Sequence, residues 1–63
     1  MKVRELRRLL EENGWVLHRT RGSHRQYKHP DYRRVITLAG KESEDLAPGT
    51  LSSILKHAGL KKP

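Results

Sequence analysis

The sequence predicts an α+β fold in the order helix, strand, strand, strand, helix. The expected architecture is a three-stranded antiparallel sheet with two helices on one face. Three observations carry that reading. Apolar residues recur at helical spacing near both ends, over residues 3–13 and 48–58. Between them lie three short runs that carry the strand formers Trp15, Val16, Thr20, Tyr27, Val35, Ile36 and Thr37. Only two short turns separate those runs, and short turns join neighbouring strands in an antiparallel meander.

The first helix is read over residues 3–13. Val3, Leu6, Leu10 and Asn13 share one stripe, and Leu9 widens it. Arg4, Arg7, Arg8, Glu11 and Glu12 fill the opposite face, where Glu5 can pair with Arg8 and Arg8 with Glu12. Gly14 follows as a left-handed cap. Residues 15–20 form the first strand. Trp15, Val16 and Leu17 are all apolar there, so alternation does not say which face is buried. Trp15 is the largest apolar group and is assigned to the core. Residues 24–29 form the second strand, ended by Pro30, which lacks a ladder donor. Asp31 and Tyr32 make a turn, and residues 33–38 form the third strand with Val35, Ile36 and Leu38. Residues 39–47 are a loop with an acidic run, Glu42, Ser43, Glu44 and Asp45. That run would repel phosphate, so it is expected to point away from any anion-binding surface.

The last helix is read over residues 48–58. Leu51, Ile54, Leu55 and Ala58 keep the helical spacing, Pro48 suits the first turn, and Gly59 suits the cap. Lys56 and His57 oppose the helix dipole in the last turn. Leu60 to Pro63 reads as one apolar anchor with a frayed basic end.

Composition narrows the partners. The chain has 63 residues and is expected to form one domain over residues 1–63. A chain this short buries only about 60 % of its unfolded surface, so any site should be shallow and open. Lys and Arg number 14 against 7 Asp and Glu, a net charge of +7. That excess favours a polyanion, nucleic acid first. No apolar run approaches the ~18 residues of a membrane span, and no signal-peptide pattern is present. There is no cysteine, which excludes disulfides, a thiol nucleophile and thiolate zinc. The chain therefore reads as cytoplasmic, with no cofactor implied.

The candidate site is the first hairpin turn, Arg19-Thr20-Arg21-Gly22-Ser23-His24-Arg25-Gln26-Tyr27. Gly22 lets the chain reverse tightly. His24 opens the second strand among Arg19, Arg21 and Arg25. Imidazole is the side chain that titrates near neutrality, and a proton carrier among fixed cations suits chemistry on a phosphodiester. Ser23 either donates to a phosphate oxygen or shapes the turn. With Lys28, Arg33 and Arg34, these residues concentrate positive charge on the strands. His18, His24 and His29 do not share one strand face, so no metal site is assigned to them.

The run Arg21-Gly22-Ser23-His24, with Tyr27 three residues on, resembles the signature of the HicA mRNA interferase toxins. Leu10 with Gly14-Trp15, Arg19, His29-Pro30, Pro48-Gly49-Thr50-Leu51, Ile54-Leu55-Lys56 and Ala58-Gly59 extend the likeness over most of the chain. The resemblance implies a fold like that of double-stranded-RNA-binding domains and a toxin that cleaves mRNA. It also implies silencing by a HicB-type antitoxin, and it puts the catalytic histidine at His24. The implied reaction is metal-independent: the RNA 2′-hydroxyl attacks the adjacent phosphorus, and His24 serves as general base or acid. Arg19, Arg21, Ser23, Arg25, Lys28, Arg33 and Arg34 are the RNA-binding candidates. His18, His29 and water are candidates for the second proton carrier. Two departures stand out. The loop at residues 42–45 is more acidic than the family suggests. The second helix begins Pro48-Gly49-Thr50, where double-stranded-RNA-binding domains carry phosphate-binding lysines. The alternative to a nuclease is a non-catalytic RNA-binding module that uses the basic sheet face. A further alternative is an interaction protein that docks an acidic partner.

Overall fold

The computed structural model describes residues 1–60 and has the predicted element order, with a three-stranded antiparallel sheet and two helices. Helix α1 spans Val3–Glu12 and buries Val3, Leu6 and Leu10, with Leu9 packed at the edge of the same core. Asn13 does not continue the stripe. It is exposed, caps the helix, and donates its amide Nδ2–H to the Leu9 carbonyl at 2.8 Å. The chain then turns through Gly14 at φ +90°, where a Cβ would sit 2.8 Å from His29 Nε2. Conformation and close approach both demand glycine there.

The N-terminus of α1 is closed by the acidic loop. The Val3 and Arg4 amides donate to the Glu44 and Glu42 carbonyls at 2.9 and 3.1 Å. These are orphan donors that a first helical turn cannot satisfy internally. Glu5 accepts from the Lys2 amide at 2.9 Å, and Lys2 Nζ pairs with Asp45 at 3.2 Å. Glu5 is thereby occupied in the cap, and its expected partnership with Arg8 does not form among the described residues. The ion pair on α1 is Arg7 with Glu11, at 3.1 Å, in place of Arg8 with Glu12.

Strands β1 (Val16–Arg21), β2 (His24–His29) and β3 (Tyr32–Leu38) follow in spatial order. The first begins one residue later than expected because Trp15 leaves the ladder to enter the core, at 1 % exposure. The third begins one residue earlier, since Pro30 and Asp31 alone make the turn. Helix α2 spans Pro48–His57, with Pro48 in its first turn and Ala58 as cap. Ile54, Leu55 and Ala58 are buried, and Leu51 and Leu60 pack against them. The expected basic end after Leu60 lies outside the described residues.

Tyr27, Ile36 and Leu38 mark the buried face of the sheet. They join the apolar stripes of both helices in one core, so both helices cover the same face. Among the described residues, no element covers the opposite face. At the Pro30 end, Trp15 and Tyr32 stack with centroids 5.5 Å apart and planes 3° from parallel, and the His29 ring lies 5.1 and 4.9 Å from them. Gly59, at φ +71°, admits the Tyr32 hydroxyl, which a Cβ would meet at 2.8 Å. No helix among the described residues is long and apolar enough to cross a membrane.

Candidate nucleic-acid interface

The hairpin between β1 and β2 has a two-residue loop, Gly22-Ser23. Gly22 takes φ +59°, and among the described residues no non-glycine residue has a positive φ. A positive φ at the first loop position alone is the type II′ pattern, whose twist matches that of the flanking strands. This turn pairs Arg21 with His24, Thr20 with Arg25 and Arg19 with Gln26. On the other side of β2, Gln26 pairs with Thr37, Tyr27 with Ile36 and Arg25 with Leu38.

Directly paired residues share a sheet face. Tyr27, Ile36 and Leu38 face the helices, so Arg25 and Thr20 point that way too. Arg19, Arg21, His24, Gln26 and Thr37 take the uncovered face. Those five line a shallow depression of about 230 Å³. It holds two guanidinium groups and one imidazole, and no carboxylate lines it. Ser23 is exposed at the hairpin tip beside it. Lys28, paired with Val16, and Arg33 are exposed nearer the Pro30 turn.

Two of the predicted contact residues are engaged elsewhere. Arg25 is half-buried on the helix side, with Nη1 3.7 Å from Glu42 Oε1. The same carboxylate oxygen lies 2.7 Å from Arg7 Nε. Glu42 therefore sits between two guanidinium groups and ties the acidic loop to α1 and β2. Arg34 turns toward α2, donating to the His57 carbonyl at 3.3 Å with its guanidinium 5.9 Å from the Tyr32 ring centre. That carbonyl is one of the unpaired acceptors of a helix C-terminus.

The other histidines serve the scaffold or lie apart. His29 Nδ1 accepts from the Asp31 amide at 3.0 Å, which leaves Nε2–H to donate to the Asn13 carbonyl at 2.9 Å. Both ring nitrogens are thus committed to joining the β2–β3 turn to the end of α1. His29 also stands five residues along β2 from His24, roughly 16 Å at strand spacing. His18 is exposed at the irregularity between Leu17 and Arg19 and does not line the depression. His57 Nδ1–H donates to the Ser53 carbonyl at 2.8 Å. Among the described residues, no three His, Cys, Asp or Glu side chains come together as a metal site.

The shifted titrations lie on the helix side. Burial pushes the Tyr27 phenol above its ordinary value, and the nearby Glu11 carboxylate pushes the same way. The Tyr27 hydroxyl is buried and has no hydrogen-bond partner among the described residues. Burial opposes the Arg7 charge, but Glu42 and Glu11 outweigh it and hold the guanidinium protonated more firmly than usual.

Gln26 and Thr37 were missed as site residues because neither carries charge. The signal was available: strand alternation from a buried Tyr27 sends Gln26 and His24 outward and Arg25 inward.

A small basic α+β domain with a bare sheet face and an exposed hairpin histidine is the class of molecule that fold and site define. The family model described as HicA toxin of bacterial toxin-antitoxin matches residues 3–60. A chain of the solved HicA3 and HicB3 toxin-antitoxin complex is similar over its whole length and over all of this chain, at 33 % identity and a TM-score of 0.84. No curated protein matches. The chain belongs to the HicA toxin family of bacterial toxin–antitoxin systems.

Proposed function

We propose that this protein is a ribonuclease toxin that cuts mRNA at the depression on the uncovered sheet face. The observation that carries the reading is the meeting of His24 with Arg19 and Arg21 there, on the face that neither helix covers. RNA supplies its own nucleophile. His24 takes the proton of the 2′-hydroxyl, the 2′ oxygen bonds to phosphorus, and the bond from phosphorus to the 5′ oxygen breaks. The leaving oxygen takes a proton from the imidazolium so formed or from water, and a cyclic phosphate remains. Arg19 and Arg21 stabilise the charge that builds on the phosphoryl oxygens. With His29 committed to the scaffold, His24 is the one imidazole lining the depression.

The reaction needs no metal, so cleavage should persist in EDTA and fail on a substrate with 2′-deoxy sugar at the cut. A positioned proton carrier contributes roughly 10²–10⁴-fold, so His24→Ala should lose cleavage by about that factor while staying folded. Wild-type rates in folded His24→Ala would overturn the assignment. Retained RNA binding without turnover by the unaltered protein would favour the non-catalytic RNA-binding module instead.

A toxin of this kind acts in the cytoplasm and requires external restraint. The partner we propose is a HicB-type antitoxin that presents an acidic surface to the depression. This reading is supported by the likeness to a chain of the HicA3 and HicB3 complex and by the +7 charge.

A further inference from the structure

The depression has two neutral side chains, Gln26 and Thr37, that the phosphoryl chemistry does not use. Arg21 and His24 face each other at the hairpin end, while Arg19, Gln26 and Thr37 form the next row across all three strands. That row lies two residues further along the sheet, about 7 Å away at strand spacing, within the reach of one nucleotide. Gln26 is half-buried and lines the depression from the central strand. Gln26 and Thr37 take no part in the ion pairs and hydrogen bonds that engage Arg25, Arg34 and His29. A glutamine amide offers a donor and an acceptor in one plane, and a threonine hydroxyl offers either. A phosphate needs cations and donors only. An amide that also accepts fits the edge of a nucleobase, and single-stranded RNA exposes that edge.

We propose that Gln26, assisted by Thr37, reads the base next to the phosphodiester held by Arg19, Arg21 and His24. Gln26 is then the specificity-determining residue of the site. The inference rests on the reading of this face as an RNA surface.

The test is binding, followed by fluorescence anisotropy, of 2′-O-methyl homo-oligomers of adenine, cytosine and uracil, which cannot be cut by 2′-hydroxyl attack. The unaltered protein should prefer one base by about tenfold, the scale of a good amide–base pair. Gln26→Leu should level that preference. Thr37→Val, which keeps the shape, should narrow it. Neither variant removes a charge, so the slope of log K against log salt should not move. An unaltered preference in Gln26→Leu, an equal loss for all three strands, or no preference in the unaltered protein would overturn the inference. Those outcomes leave the nuclease reading standing. Failure of the unaltered protein to bind any strand at low salt would instead defeat the RNA-surface reading, and this inference with it.

Discussion

Tyr27 shows how one buried side chain decides the chemistry around it. Its ring is fully enclosed, yet its hydroxyl has no hydrogen-bond partner among the described residues. A buried unsatisfied polar group costs roughly 1–3 kcal/mol, so Tyr27→Phe should raise stability by about 1 kcal/mol at neutral pH. The pH dependence has a definite sign. Burial raises the folded phenol above the 10.0 of the free side chain. The unfolded chain therefore releases that proton first, and the folded state loses stability as pH climbs through 10.0 toward the folded value. Urea unfolding of both proteins across the alkaline range checks this. Tyr27→Phe should lack the part of the decline that the buried phenol causes, and parallel curves would refute the account. The glycines separate in the same way. Gly22 has open space around a would-be Cβ, so its requirement is conformational alone. Gly14 and Gly59 add a steric requirement, because His29 and Tyr32 press against them.

At the scale of elements, the loop at residues 39–47 acts as a structural strap. It provides carbonyls for the first turn of α1, and its Glu42 lies between Arg7 and Arg25. The carboxylate is partly exposed, so its ion pairs are screened. Glu42→Gln should cost about 1 kcal/mol, near the top of the range for exposed pairs. Added salt should shrink the difference between Glu42→Gln and the unaltered protein, because screening already weakens the native pairs. Equal stability of the two proteins at low salt would show that the Glu42 ion pairs do not hold the strap. The Pro30 end is a second such assembly. Trp15, His29, Tyr32, Gly14 and Gly59 meet there, bringing together the ends of both helices and the second hairpin. Gly14-Trp15 and Ala58-Gly59, two of the motifs in the family resemblance, are explained by this packing, far from His24.

At the scale of the whole molecule, the proposed function makes the uncovered sheet face the surface that meets a polyanion. Arg25 and Arg34 are diverted into the scaffold, so Arg19, Arg21, Lys28 and Arg33 remain as the exposed strand cations of the proposed phosphate-binding surface. Single-strand binding loses about 0.7 in slope per neutralised phosphate, so log K against log salt should fall with a slope of roughly −3. Arg21→Ala should make that slope shallower, whereas Arg34→Ala should leave it unchanged and lower stability. A flat response would mean that these strands do not carry the phosphate contacts. The antitoxin should compete for the same cations. Arg21→Glu should weaken its binding by a few kcal/mol if a buried carboxylate loses its partner. Arg8→Glu, on an exposed turn of α1, should leave affinity unchanged. Titration calorimetry with the antitoxin checks both, and loss of affinity only in Arg8→Glu would place the antitoxin on the helices.

Local pattern was enough for the element order, the core stripes of both helices, the buried Trp15 and the hairpin at Gly22-Ser23. Each follows from a short-range rule: helical spacing, strand propensity, or a glycine where the chain reverses. The position of His24 at the mouth of the hairpin was legible for the same reason. What each charged side chain faces was not legible, because the partners are far apart in the chain. Arg25 looked equivalent to Arg19 and Arg21 until strand register set it behind the sheet, against a carboxylate 17 positions away at Glu42. His29 is one candidate among His18, His29 and water for the second proton carrier, and nothing local shows that folding places its two nitrogens on Asp31 and Asn13. Ionic and hydrogen-bonding choices depend on distances through space, and only the packed tertiary structure sets those distances.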